Sequence, residues 1–147
     1  MQSEQKKILV VDDEPDILAF LQALLEQEGY AVAATDKGEH VEKLHDGDLP
    51  ELILIDVFLS GKDGREIVKR LKSQKETRHI PVIMFSAHPN AEQTARVAGA
   101  DDFVAKPFEM DEVVFCVSRT CIEKACREKK LRESHLSLAL KTEAQPG

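Results

Sequence analysis

Four short apolar runs punctuate the chain, and each ends in a polar group. Lys7–Val11 runs into Asp12, Asp13 and Glu14, Leu52–Ile55 into Asp56, Val82–Phe85 into Ser86, and Asp102–Ala105 into Lys106 and Pro107. Between them lie longer stretches in which apolar residues recur at three and four, as do Ile17, Leu18, Leu21, Leu24 and Leu25 after Pro15. Strand-length runs alternating with helix-period segments predict βαβ units and a parallel sheet. Pro15 suits the first turn of a helix and Gly29 its end. A weaker second strand, Ala31–Thr35, and a short helix from Gly38 to about His45 lead into an Asp46, Gly47, Asp48 turn. The unbroken apolar character of Leu52–Asp56 predicts a central strand buried on both faces.

After Asp56 the segment Val57–Gly64, with glycines at 61 and 64, reads as a loop. The helix that follows carries Ile67, Val68 and Leu71 inward and places Lys69, Arg70 and Lys72 near its C-terminal end, where the helix dipole favours positive charge. Pro81 opens the fourth strand. Ala91–Ala98 predicts a small, alanine-rich helix, weakly anchored and able to move, ending at Gly99. A last helix begins near Glu109, with Met110, Val113, Val114, Val117 and Cys121 as its core-facing stripe. The prediction is an α/β fold, a five-stranded parallel sheet with helices on both faces, and an extended C-terminal helix. Residues 1–126 form the domain and residues 127–147 a helical extension with a disordered tail. The charged stretch Arg127–Glu133 is solvated, and Leu131, Leu136, Leu138 and Leu140 give it an apolar edge suited to docking on the domain or on another chain. Lys141–Gly147, polar with a terminal Pro and Gly, is expected to be disordered.

Composition narrows the function classes. A length of 147 residues matches one ordinary domain, and 42% hydrophobic with 32% charged residues reads as a soluble globular chain. No apolar stretch approaches the roughly 20 residues of a membrane span. The polar start, Met1–Lys7, has no apolar core of a secretory signal, so a cytoplasmic location is expected. A formal charge of -7 argues against direct nucleic-acid binding. Cys116, Cys121 and Cys126, spaced by five, match no zinc or redox pattern. His40, His45, His79 and His135 lie in polar surroundings without ligand spacing.

If the runs are parallel neighbours, their carboxyl ends lie along one edge, which is where open α/β sheets place ligands. Magnesium prefers oxygen ligands and keeps several waters, so Asp12, Asp13 and Asp56 from separate strand ends suit it. A carboxylate can attack phosphorus when cations neutralise the incoming charge, and Asp56 is the candidate nucleophile. Ser86 can donate to a phosphoryl oxygen and Lys106 can place an ammonium against another. Singly, Asp12, Asp13, Asp56 and Ser86 also read as helix or turn caps. Independent caps would not leave acid, acid, hydroxyl and lysine after strands one, three, four and five in that order.

These segments, Ile8–Asp16, Leu52–Gly64, Val82–Ala87 and Ala98–Phe108, resemble the response-regulator receiver domain of two-component phosphorelay signalling, a likeness that covers about Lys6 to Cys126. The resemblance implies a flavodoxin-like, doubly wound (βα)5 fold. It implies that Asp56 is phosphorylated by a histidine kinase or histidine phosphotransfer protein in a magnesium-dependent reaction. Asp13 and Asp56 would bind magnesium directly with the main-chain carbonyl of Phe58, Asp12 mainly through water, and Ser86 and Lys106 would hold the phosphoryl oxygens. The Lys106–Pro107 peptide would be cis. Ser86 and Phe103 would form the switch, signalling through helix four, strand five and helix five to a protein effector, with a homodimer left open.

Three positions depart from the family pattern. Ser60 stands where many members have proline, which predicts a more mobile loop after Asp56. Phe58 and His88 flank the path of a water attacking a phosphoaspartate and are candidates for tuning its lifetime; His88 also reads as a solvated loop residue, and Phe103 as core filler. The rival from another class is a phosphatase of the haloacid-dehalogenase type, which needs a second acid two residues after its nucleophile, where this chain has Phe58. With no output domain after Cys126, a single-domain regulator is expected, the alternative being a receiver segment of a larger hybrid kinase or regulator.

Overall fold

A computed structural model describes residues 5–44, 47–88 and 90–143. The order of elements is β1 (Lys7–Val11), α1 (Pro15–Gln27), β2 (Ala31–Thr35), α2 (Gly38–Glu42), β3 (Leu52–Asp56), β4 (Phe58–Leu59), β5 (Lys62–Asp63), α3 (Gly64–Ser73), β6 (Val82–Ser86), α4 (Ala91–Ala98), β7 (Asp102–Ala105) and α5 (Met110–Glu143). Five strands form one parallel sheet in the order β2-β1-β3-β6-β7. Chain order reverses direction between β1 and β3, so the crevice beyond their carboxyl ends is the switch point of the sheet.

Alternation along the strands builds two cores. Leu9, Val11, Ile53, Ile55, Val82 and Met84 point to the face packed by Val41 of α2, by Ile67, Val68 and Leu71 of α3, and by Ala91 and Ala95 of α4. Ile8, Val10, Leu52, Leu54, Ile83 and Phe85 point the other way, onto Leu21, Leu24 and Leu25 of α1 and Val113, Cys116, Val117 and Cys121 of α5. Because β1, β3 and β6 are apolar on both faces, they read as continuous runs rather than alternating ones. β3 is buried along its whole length.

The segment after Asp56 is more ordered than a plain loop. Phe58–Leu59 pairs antiparallel with Lys62–Asp63, and the connection works because Gly61 takes φ +75°. The early helix α2 stops at Glu42; His45 and Asp46 lie outside the described residues, as do Met1–Glu4. Met110, placed in the core stripe by periodicity, is 56% exposed: it is the first residue of α5, where the helix is only beginning, and the buried stripe starts at Val113. Helix α5 also runs further than the sequence suggested, through Lys141 to Glu143. Residues 127–143 hold no Gly or Pro and are rich in Leu, Glu, Lys and Arg, so helix propensity carries on past the last core contact. Ala144–Gly147, the rest of the expected disordered tail, lie outside the described residues. Among the described residues no helix is long and apolar enough to cross a membrane.

Candidate phosphoryl-transfer site

Parallel register brings the strand ends together: Val11 pairs with Ile55, Asp56 with Phe85, and Ser86 with Ala105. One residue beyond these pairs, Asp12 and Lys106 emerge beside Asp56 and Ser86. Asp12, Asp56 and Ser86 are buried. Asp12 Oδ1 accepts the Glu14 N–H at 2.8 Å, Asp56 Oδ1 accepts the Phe58 N–H at 3.1 Å, and Ser86 Oγ accepts the His88 N–H at 3.1 Å. Each polar side chain is thus held by the backbone two residues on, the local bond that suits Asp and Ser to turns.

Lys106 reaches across the crevice. Its Nζ lies 2.8 Å from Asp56 Oδ2, 3.0 Å from Asp12 Oδ2 and 3.7 Å from Glu14 Oε1, and it sits 5.0 Å from the centre of the Phe85 ring. The lysine is a bridge between buried carboxylates, and the cis Lys106–Pro107 peptide expected from the family lies next to it. Burial lifts the Asp12 carboxyl to about 6, against the Glu14 N–H and the Lys106 ammonium, which favour its charge. Burial also opposes the Lys106 charge, but its bonds to Asp56 and Asp12 outweigh it and hold the ammonium above its usual range. Asp13 goes the opposite way, because the Ser60 hydroxyl donates to it and holds it below the ordinary carboxylate range.

Asp12, Asp13, Glu14 and Asp56 each offer an oxygen within 4.8 Å of the others. Only carboxylate oxygens contribute to this cluster, the donor chemistry of a hard cation, so the residues fit magnesium. The sequence singled out Asp12, Asp13 and Asp56; Glu14 stood in the same acidic run and its membership follows from the tight turn into α1. Gly64 supports the site through its backbone, a role that only the fold reveals. A Cβ there would meet the Asp56 carbonyl oxygen at 2.2 Å, so the start of α3 can lie against the Asp56 backbone only as glycine. Ser60, where the sequence predicts a more mobile loop, donates its Oγ hydroxyl to Asp13 Oδ2 at 2.6 Å.

Phe58 and His88 are in contact, ring edge to face with centroids 4.9 Å apart. Arg65 lies 5.1 Å over the Phe58 ring and donates to Thr94 of α4 at 2.9 Å, while a fork of bonds ties it to Asp63. Arg65 was not read as a site residue, since nothing in its local sequence marks it. Phe103 is half-buried and packs against the core cluster that α3 and α4 also enter. Its neighbour Asp102 links the α4–β7–α5 face, accepting from Arg96 of α4 at 3.2 Å and from Arg119 of α5.

The fold and the strand-end cluster define a class, and comparison with known proteins agrees. The sequence profile of the response regulator receiver domain matches residues 8–118, and the chain belongs to that family of two-component signalling. It is 42% identical over 112 residues to the alkaline phosphatase synthesis transcriptional regulatory protein PhoP of Bacillus subtilis, covering 74% of this chain and 45% of that protein. Against the phosphate regulon transcriptional regulatory protein PhoB of Escherichia coli it is 40% identical over 112 residues, covering 74% of this chain and 48% of that one. The chain spans about half the length of the curated relatives it matches. Among solved structures, the signal receiver domain of a signal transduction histidine kinase from Syntrophus aciditrophicus superposes with a TM-score of 0.73 at 30% identity, over 80% of this chain and 91% of that one.

Proposed function

We propose that the chain is a phosphorylation-controlled switch whose acceptor is Asp56, loaded by a histidine kinase or histidine phosphotransfer protein in the cytoplasm. The observation that carries this is the buried Asp56 carboxylate, 2.8 Å from the Lys106 ammonium and clustered with three further acids. An Asp56 oxygen attacks phosphorus, the bond from phosphorus to the donor's histidine nitrogen breaks, and the nitrogen keeps the electron pair. Lys106 shifts from carboxylate partner to phosphoryl partner, and Ser86 donates its hydroxyl proton in a hydrogen bond to a second phosphoryl oxygen. Asp12, Asp13, Asp56 and the Phe58 carbonyl would hold magnesium, whose charge neutralises the incoming oxygens when it is bound.

The output is a population shift. The phosphoryl group favours one of two arrangements of Ser86 and Phe103, and so biases the face made by α4, β7 and α5 toward a protein effector. Phe58 and His88, in contact at the edge of the site, restrict the approach of water and set the lifetime of the phosphoaspartate. Position 58 carries no acid, so the chain is not built for turnover on an external phosphoester, and we read it as no dedicated enzyme. In the first reading the receiver acts by itself and signals by contact with a protein effector. The second reading, a receiver within a longer regulator, draws on the roughly twofold length of the curated relatives, and the mass of the endogenous protein on an immunoblot separates the two.

Intact mass after incubation with a small acyl-phosphate donor and magnesium tests the acceptor. One added phosphoryl group is expected, absent in Asp56→Asn and after chelation. Equal labelling of Asp56→Asn, or no labelling of the wild type by either the small donor or a phosphorylated histidine phosphotransfer protein, would refute it.

A further inference from the structure

Ser60 sits at the turn of the β4–β5 hairpin, 47 residues from Asp13 in sequence, and donates its hydroxyl to Asp13 Oδ2 at 2.6 Å. Ser60 is exposed, so burial does not force this contact. The hairpin is anchored elsewhere, by Phe58 pairing with Asp63 and by the Lys62 ion pair to Glu42 of α2 at 3.1 Å. Gly61 has a positive φ and Ser60 does not, the pattern of a type II turn, in which position 60 would accept proline. Proline would satisfy the turn but carries no hydroxyl. The serine therefore adds something the turn does not need, a donor aimed at a carboxylate of the acidic cluster.

We propose that Ser60 is a positioning residue for magnesium, holding the Asp13 carboxylate turned toward the other three acids. The proposal rests on the reading of Asp13 as a magnesium ligand. A carboxylate has two oxygens and about four lone-pair directions, so one accepted hydroxyl leaves capacity for an ion. A partner of this kind lowers the rotational freedom of the ligand before the ion arrives, and loss of such partners typically weakens metal affinity about 10- to 100-fold. With a neutral donor at an exposed position, the low end applies.

Magnesium titrations of the full chain by calorimetry, with folding checked by far-UV circular dichroism, test it. Ser60→Ala is expected to bind magnesium roughly tenfold more weakly, Ser60→Thr to retain wild-type affinity, and Ser60→Pro to match Ser60→Ala although its turn is intact. Wild-type affinity in Ser60→Ala would overturn the proposal, as would wild-type affinity in Ser60→Pro, which would assign the effect to loop order and not to the hydroxyl. Asp13→Asn separates the two layers of reasoning. If it leaves magnesium binding unchanged, the ligand reading itself fails; if it weakens binding while Ser60→Ala does not, only the role of Ser60 fails.

Discussion

Replacing Lys106 with methionine keeps an unbranched side chain beside the Phe85 ring and removes the charge between Asp12 and Asp56. At an effective dielectric of about 20, each contact near 3 Å represents a gross attraction of about 5–6 kcal/mol. Desolvation of the ammonium takes back much of that, and breaking such buried pairs costs about 3–5 kcal/mol. Asp12 limits the damage. Its carboxyl lies at about 6, raised from 3.8 chiefly by burial, so taking a proton at pH 7 costs only about 1 kcal/mol. An acid whose pKa rises on folding binds more protons in the native state than in the unfolded one between the two values. Wild-type stability therefore falls as pH rises through that window, by about 3 kcal/mol if Asp12 acted alone. Without Lys106 the Asp12 carboxyl rises further, and the window extends upward. We expect Lys106→Met to lose about 3 kcal/mol at pH 8 and roughly half that at pH 5, where Asp12 is protonated in both proteins. Urea unfolding followed by far-UV circular dichroism between pH 5 and 8, without divalent ions, measures this; the chain has no tryptophan to report by fluorescence. An equal loss at both ends of the range would show that packing on Phe85 explains it, and the electrostatic reasoning would be wrong.

Two further outcomes follow from packing. Gly64→Ala puts a methyl group 2.2 Å from the Asp56 carbonyl oxygen, so the variant should lose about 2–3 kcal/mol in urea unfolding and label more slowly with the small phosphodonor; unchanged stability would mean that α3 shifts freely. Ending the chain after Cys126 removes residues of which Arg127–Leu136 are exposed, so the urea midpoint should stay the same within error, as expected if residues 127–147 are not part of the domain. A lower midpoint would place part of the extension in the core.

What the sequence determined by itself is what local pattern encodes. Run length and apolar continuity gave β1, β3 and β6, the three-and-four spacing gave α1 and α3, and the residue just past each run marked Asp12, Asp56, Ser86 and Lys106. Those four converge because parallel strands align their ends, a rule that needs no coordinates. The tertiary structure alone decided the distances across the crevice. Lys106 touches Asp12 and Asp56 over separations of 94 and 50 residues, Ser60 reaches Asp13, and Arg65 bridges Phe58 and Thr94. Nothing local to these residues signals their partners, because sheet order and side-chain reach set them. The same holds for burial at element ends: periodicity put Met110 in the core, while its place at the first residue of α5 leaves it exposed. Period and propensity act over a few residues, so the chain spells out its elements and the identity of its strand-end chemistry. Pair geometry and charge balance arise only when β1 and β3 lie side by side.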